Sequence, residues 1–560
     1  MRAIRRLLCV SFVLSLFVAP LHAAVIGTVI NIDGKPVTGA KVSLFAPELI
    51  AAAGPRMLAA EPQRTPLKTV STDSSGRFSI DAPKEQTIVD IRVEANGYAP
   101  MAGRYPLDDD AGVILLTQAP SVRGTITANG KPVANATVVV LGAAEYTTRT
   151  DADGHYSAPD PSKWAYRVLV LDPDFAPVDE TIGPYGTKKG PDFTMTAGVA
   201  INGRVVGEDG QTPAGDVPLF LDGWPAGKSS ADGSFTIAHA RKEWTTVEAR
   251  SGNRIAQRTR ASGGSPTLKL AKGAVISGSV RDGKSQLPVT GARIAIGSGR
   301  FREATLDTIT DAKGNFTLAP IAGSTYDLRA SRPGYGINGA QAVSVKGGTA
   351  VQKALFATAH GRISGSVVDD DKRPVSAAKL SARPATQDNN ILSLIRTAGG
   401  GVSEGYSAPD GHFVISEVET DAELQIDALK RGYPPGKSPS LKLAVGERKS
   451  GVTITIPLGR AVTGRVTDKE HKPLSGIAVQ AVESSSDPMG GLRRMVMSAM
   501  QGGRNDQILR TGSDGTFTIR VKEGTYDLAF KGEGYSAKTV RGTKVDSATK
   551  PVEVMLDPGV

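Results

Sequence analysis

Thr310-Asp311-Ala312-Lys313-Gly314-Asn315-Phe316 reads as a tight turn running into a strand. Aspartate caps nearby amides, glycine accepts positive φ, and an aromatic takes the first inward-facing position. Side chains alternate along a strand, so Leu318 shares the face of Phe316. The string recurs as Thr72-Asp73-Ser74-Ser75-Gly76-Arg77-Phe78 and as Thr150-Asp151-Ala152-Asp153-Gly154-His155-Tyr156. Shorter versions are Ala231-Asp232-Gly233-Ser234-Phe235, Pro409-Asp410-Gly411-His412-Phe413 and Ser513-Asp514-Gly515-Thr516-Phe517. Burying one such aromatic contributes roughly 1.5–3 kcal/mol, which makes each a candidate core anchor.

Upstream of every turn lies an apolar-x-Gly-x-apolar strand. The copies are Val25 to Val29 around Gly27, Val122 to Ile126 around Gly124, and Ile201 to Val205 around Gly203. The others run from Ile276 to Val280 around Gly278, Ile363 to Val367 around Gly365, and Val462 to Val466 around Gly464. Glycine on the inward face of a strand marks close approach of another backbone or a large side chain. A polar turn follows and ends in Pro36, Pro132, Pro213, Pro288, Pro374 or Pro473. Four and six residues later come paired apolar positions, from Ala40 and Val42 through to Ile477 and Val479. That fixed offset keeps them on one face, since a slip of one residue would reverse it. Downstream of the turn, an alternating strand leads to Gly-Tyr at Gly334-Tyr335, Gly432-Tyr433 and Gly534-Tyr535, with Asp174-Phe175 as a partial substitute in the second copy.

In this order the set resembles the carboxypeptidase regulatory-like family, whose modules share the transthyretin (prealbumin) type of sandwich. The resemblance implies small Greek-key β-sandwiches of about seven strands; short alternating strands between turn signals point the same way. The expected architecture is all-β, a tandem array of about six such domains. Their expected bounds are 24–119, 120–197, 198–272, 273–360, 361–458 and 459–560, called modules 1 to 6 below, after a leader at 1–23. The connections are a few residues long, which predicts a semi-rigid, monomeric rod.

Module length varies in one place. Gly27 to Gly124 spans 97 residues, whereas Gly203 to Gly278 spans 75. The additions to modules 1, 5 and 6 fall at about 46–67, 383–405 and 484–507, between the paired apolar positions and the turn. Surface connections tolerate growth, and they also carry binding residues.

Arg2, Arg5 and Arg6 precede an apolar run from Leu7 to Val18, closed by Ala19-Pro20-Leu21-His22-Ala23. That is the layout of a secretory signal peptide cleaved after Ala23, and the run is short for a membrane span of about 20 residues. The expectation is an exported protein, periplasmic, cell-surface or extracellular, with no membrane span after cleavage. Cys9 is the sole cysteine and lies in the leader. An exported chain without disulfides suits a bacterial cell envelope better than a disulfide-stapled ectodomain. Loss of three arginines takes the net charge from +10 to about +7, spread thinly along the chain. Aromatics are 5%, and clustered basic residues with stacking rings are lacking, so nucleic acid is not an expected partner.

Catalytic strings fall in the wrong context. Gly401-Val402-Ser403-Glu404-Gly405 matches the nucleophile-elbow spacing but leads into a strand where the motif needs a helix. Gly223 to Ser229 is one residue short of a phosphate loop. No histidine stands at zinc-ligand spacing to another ligand, so the peptidase centre associated with the family name is absent from the sequence. Asp151-Ala152-Asp153-Gly154 begins like a calcium loop without its closing glutamate; Asp108 to Asp110 and Asp369 to Asp371 read as solvated turns. Met489, Met495, Met497 and Met500 read as apolar filler ahead of a copper site. The expectation is therefore no catalytic activity, no cofactor and no metal. A structural, adhesive or protein-binding role leads, with an unknown protein or polysaccharide of the envelope as partner. The alternative is carbohydrate binding, for which the candidate glycan contacts are Trp164, Trp224 and Trp244.

Overall fold

The computed structural model describes residues 24–49, 64–81, 83, 86–107, 110–118, 121–141, 145–159, 166–182, 191–244, 246–259, 265–297, 306–337, 341–385, 403–484 and 509–559. The leader, Trp164, the four clustered methionines and the middle of each of the three insertions lie outside these residues. Every regular element described is a strand.

Module 1 sets the pattern with β1 (Ala24–Asn31), β2 (Lys41–Phe45), β3 (Lys68–Ser71), β4 (Arg77–Asp81), β5 (Ile88–Glu94), β6 (Met101–Pro106) and β7 (Asp110–Leu116). One sheet has the order β4-β1-β7, the other β3-β2-β5-β6. β1 runs antiparallel to β4 and parallel to β7. The chain therefore crosses between layers rather than forming successive hairpins, and the two inner faces enclose one core. The same order returns in module 6, with Thr516–Val521, Arg460–Thr467 and Val552–Met555 facing Leu509–Arg510, Ala478–Glu483, Gly524–Lys531 and Lys538–Val545.

Six large apolar clusters fill the sandwiches, each drawn from one continuous stretch of chain. All six turn aromatics are anchors, from Phe413 at 0% exposure to Phe78 at 6%. The strand glycine explains how they fit. Gly27 pairs with Phe78, Gly124 with Tyr156, Gly203 with Phe235, Gly278 with Phe316, Gly365 with Phe413 and Gly464 with Phe517. A Cβ on Gly464 would lie 2.6 Å from the Phe517 ring and 2.1 Å from the Val552 carbonyl oxygen. On Gly278 and Gly365 it would lie 1.8 Å from the oxygen of the parallel neighbour. Close approach, expected from the pattern, is thus made by an aromatic ring and a third strand together.

A second recurring device was not anticipated from the pattern. The hydroxyl of Thr310 donates to the Val289 carbonyl at 2.7 Å and accepts the Ala292 N–H at 2.8 Å. Thr72, Thr150, Ser229, Ser407 and Thr511 repeat both bonds, and all six side chains are buried. This hydroxyl ties the turn after the proline to the strand before the aromatic. Buried backbone groups at that bend would otherwise lack partners.

Consecutive modules meet through side chains in one place and through backbone in another. Trp224 of module 3 packs on Val139 and Leu169 of module 2. Arg520 of module 6 donates its backbone N–H to the Gly432 carbonyl of module 5 at 2.7 Å. The expectation of a rod, in which only successive modules touch, does not describe module 1. Its β4-β1-β7 sheet lies against module 5, where Ile30, Leu115 and Ala377 are buried together with Val113 and Tyr406 at their margin.

Candidate interaction surfaces

The aspartate-glycine turns carry most of the repeated polar residues, and those residues are engaged by the fold. Asp311 accepts the backbone N–H groups of Lys313 and Asn315 on one carboxylate oxygen, as Asp73 does for Ser75 and Arg77. In module 2, Asp151, Asp153 and His155 place one ligand atom each within 4.8 Å of one another. All three are exposed, and Asp151 Oδ1 already accepts from Asp153 and His155 backbone N–H groups. The cluster is the same turn seen in modules 1 and 4. In modules 3 and 6, Asp232 and Asp514 are held below the usual carboxylate range, first by the hydroxyls of Ser234 and Thr516 and then by backbone N–H groups.

Ser403 lies on the strand Ser403–Tyr406, and its hydroxyl donates to the Glu417 carbonyl at 2.6 Å. The Gly223–Ser229 stretch forms the second strand of a hairpin with Pro218–Leu221, and Ser229 is the buried hydroxyl described above. Both strings are built into sheets. His239 Nδ1 sits 2.9 Å from the Ala197 carbonyl oxygen. His360, where module 4 passes into module 5, has its pKa pushed down by burial, opposed by the charges of Glu417 and Glu419.

The tryptophans do not share one surface. Trp224 is half-buried between modules, with the Arg167 guanidinium carbon 5.8 Å from its ring centre. Arg167 is held in place by two 2.5 Å bonds to Asp179. Trp244 is half-buried against the core of module 3. One ring thus serves a module junction and the other supports a sandwich, while Trp164 lies outside the described residues.

Among the described residues, the most extensive surface that joins residues distant in sequence is the one between modules 1 and 5. Around its apolar centre, Arg77 reaches Asp410 at 2.7 Å, Arg431 reaches Asp33 at 3.3 Å, and Arg362 reaches Asp110 at 3.9 Å. The Ser376 hydroxyl donates to the Gly34 carbonyl at 2.8 Å. Burial pushes the pKa of Arg362 down, with the charge of Arg448 adding to the effect. Lys430 beside the seam is pushed down by burial and by Arg431, and raised by Asp33. A signal for this surface was present in the chain: Val113-Ile114-Leu115-Leu116 is continuously apolar, as a strand buried on both faces should be.

No curated protein matches the chain. Among solved structures, it is similar to the TIE protein of Bacillus anthracis, at 10% identity over 85% of this chain and 72% of that one, with a TM-score of 0.16. It is also similar to BcpA, the major pilin subunit of Bacillus cereus, at 12% identity over 43% of this chain and 99% of that one, with a TM-score of 0.15. Two B repeat units of the collagen binding protein of Staphylococcus aureus align at 14% identity over 60% of this chain and 99% of that one, with a TM-score of 0.13. The family model of the carboxypeptidase regulatory-like domain matches residues 121–196, 275–356 and 461–557, which are modules 2, 4 and 6.

Proposed function

We propose that the chain is an exported structural or adhesive protein of the cell envelope that binds another protein and has no catalytic activity of its own. One observation carries this reading: in all six modules the repeated chemistry-bearing residues are consumed by architecture. The aspartates cap turns, the buried Thr and Ser hydroxyls tie the sandwich layers, and the aromatics fill cores. The basic, then apolar, then small-residue start supports export. Carbohydrate binding has less support, because Trp224 stands between modules with Arg167 beside it.

The test has two arms. Residues 1–23 fused to a leaderless reporter should deliver it out of the cytoplasm, and retention inside would remove the export claim. The purified chain, assayed on ester, peptide and glycoside substrates, should give no turnover. It should be retained by the protein fraction of an envelope preparation and not by its polysaccharide. Turnover abolished by a single substitution would overturn the non-enzymatic reading. Retention on polysaccharide that is lost in a Trp164→Ala, Trp244→Ala variant would replace protein binding with the glycan alternative.

A further inference from the structure

Each module presents an outer face on its strand-one sheet, and five of the six treat it alike. The residue between the turn aromatic and the next core aliphatic is Ser79, Ser157, Thr236, Thr317 or Thr518, all exposed. In module 5 it is Val414, 6% exposed. On the parallel strand, the partner of the outward position next to Val29 is Leu115 in module 1 and Thr194, Lys269, Phe356, Thr455 or Met555 elsewhere. Phe356 and Met555 are 47% and 37% exposed there, whereas Leu115 is 9%. The departures in modules 1 and 5 face each other: a Cβ on Gly112 would lie 3.3 Å from the Val414 Cβ.

The backbone carries an independent mark. Three residues after the turn proline, every module needs positive φ, and Gly39, Asn135, Asp216, Gly291 and Gly476 supply it at φ between 56° and 77°. Those residue types tolerate the left-handed region. Module 5 alone places alanine there, Ala377 at φ 52°. The residue is 3% exposed and packs with Ile30 and Leu115 of module 1. A strained residue persists where its surroundings hold it, and here part of the surroundings comes from module 1, from Leu115 and Ile30. Charges match as well: module 1 offers Asp33, Arg77 and Asp110, and module 5 answers with Arg431, Asp410 and Arg362. Module 4 also touches module 1, where a Cβ on Gly291 would lie 2.6 Å from Thr87 Oγ1.

We propose that modules 1 and 5 form a specific intramolecular clasp that closes the chain on itself, with module 1 as the built-in partner of the module 5 outer face. The buried apolar centre is small and the rim is ionic, which is the composition of a domain contact that opens and recloses. Opening would bare Ile30, Val113 and Leu115 on one side and Ala377 and Val414 on the other.

The clasp is tested in the full chain carrying C9S, which then has no cysteine. A Cβ on Gly34 would lie 3.0 Å from the Ser376 Cβ at φ 82°, so G34C with S376C reaches disulfide geometry after a shift of about half an ångström and should cross-link under mild oxidation. G112C with V414C is the second pair, at a different point of the seam. Each should yield a fast-migrating monomer on a non-reducing gel, because a loop of more than 300 residues is closed. Leu115→Asp should lower the cross-linking rate about tenfold by placing a charge in the apolar centre, with unchanged far-ultraviolet circular dichroism. Failure of both pairs to cross-link would overturn the proposal. So would disulfide-linked dimers as the main product at low protein concentration, which would assign the seam to two copies of the chain.

Discussion

Replacing Ser229 by alanine isolates the buried hydroxyl that every module uses. The side chain is 5% exposed, donates to the Ala214 carbonyl at 2.7 Å and accepts the Val217 N–H at 3.0 Å. Alanine keeps the Cβ and removes only the oxygen, so packing changes little while a donor and an acceptor lose their partner. Each buried unsatisfied group costs about 1–3 kcal/mol. Ser229→Ala should therefore destabilise module 3 by about 2–4 kcal/mol, summing two such terms and allowing some water entry. Ser229→Thr is the matched control. Threonine stands at this position in modules 1, 2, 4 and 6, so it should stay within about 1 kcal/mol of the parent. Module 3 contains Trp224 and Trp244, so with Trp164 of module 2 replaced by phenylalanine in parent and variants alike, tryptophan fluorescence in urea reports on module 3. With a slope of about 1 kcal/mol per molar for a module this small, the Ser229→Ala midpoint should fall by about 2 M or more. If the parent midpoint is low, the module should be unfolded in water. An alanine midpoint within about 0.5 M of the parent would refute the reasoning, as would threonine and alanine behaving alike.

Gly278→Ala should destabilise module 4 by about 3 kcal/mol or more, because the new Cβ meets the Lys353 carbonyl oxygen and no side chain can step aside. Calorimetry should show one transition shifted down by about 10 °C or more, and an unchanged profile would contradict the close-approach account. Ala377→Gly should relieve about 1 kcal/mol of backbone strain within module 5 while removing the methyl from the seam. Module 5 should hold its melting temperature as disulfide trapping of Gly34→Cys with Ser376→Cys slows; both quantities moving down together would count against the clasp. His360 has a folded pKa below its unfolded value, so the stability tied to its neutral form is full above about pH 6.5 and is lost as pH falls through the lowered folded pKa. Melting temperature should fall more between pH 7.5 and 5.5 in the parent than in His360→Gln, and equal losses would assign the acid sensitivity to other groups.

Much of the sandwich was legible because its rules are local. The turn Asp and Gly, the entering proline and the period-two alternation act over a few residues, so each copy announces its strands and its core face. The glycine opposite the aromatic was readable as a close approach, though not which group approaches. The Thr or Ser before the turn aspartate was visible in every strong copy, yet its role was hidden. Its partners lie up to 37 residues away, beyond any local pattern. The tryptophans illustrate the opposite difficulty. Their type suggested exposed platforms, but whether a ring is free depends on what the next module lays against it, as Val139 and Leu169 do for Trp224.

The chain by itself determined the class and the repetition: an all-β series whose strands, turns and core positions follow from spacing within each copy. Only the tertiary structure decided that module 1 lies against module 5. That contact depends on outward-facing residues, which the inward pattern leaves unconstrained. Val414 is a single apolar departure on a face that local rules treat as solvent, Leu115 is covered where Phe356 and Met555 are exposed, and Ala377 is one strained residue among permissive ones. Each acquires meaning only when the partner face, more than 250 residues away in sequence, covers it.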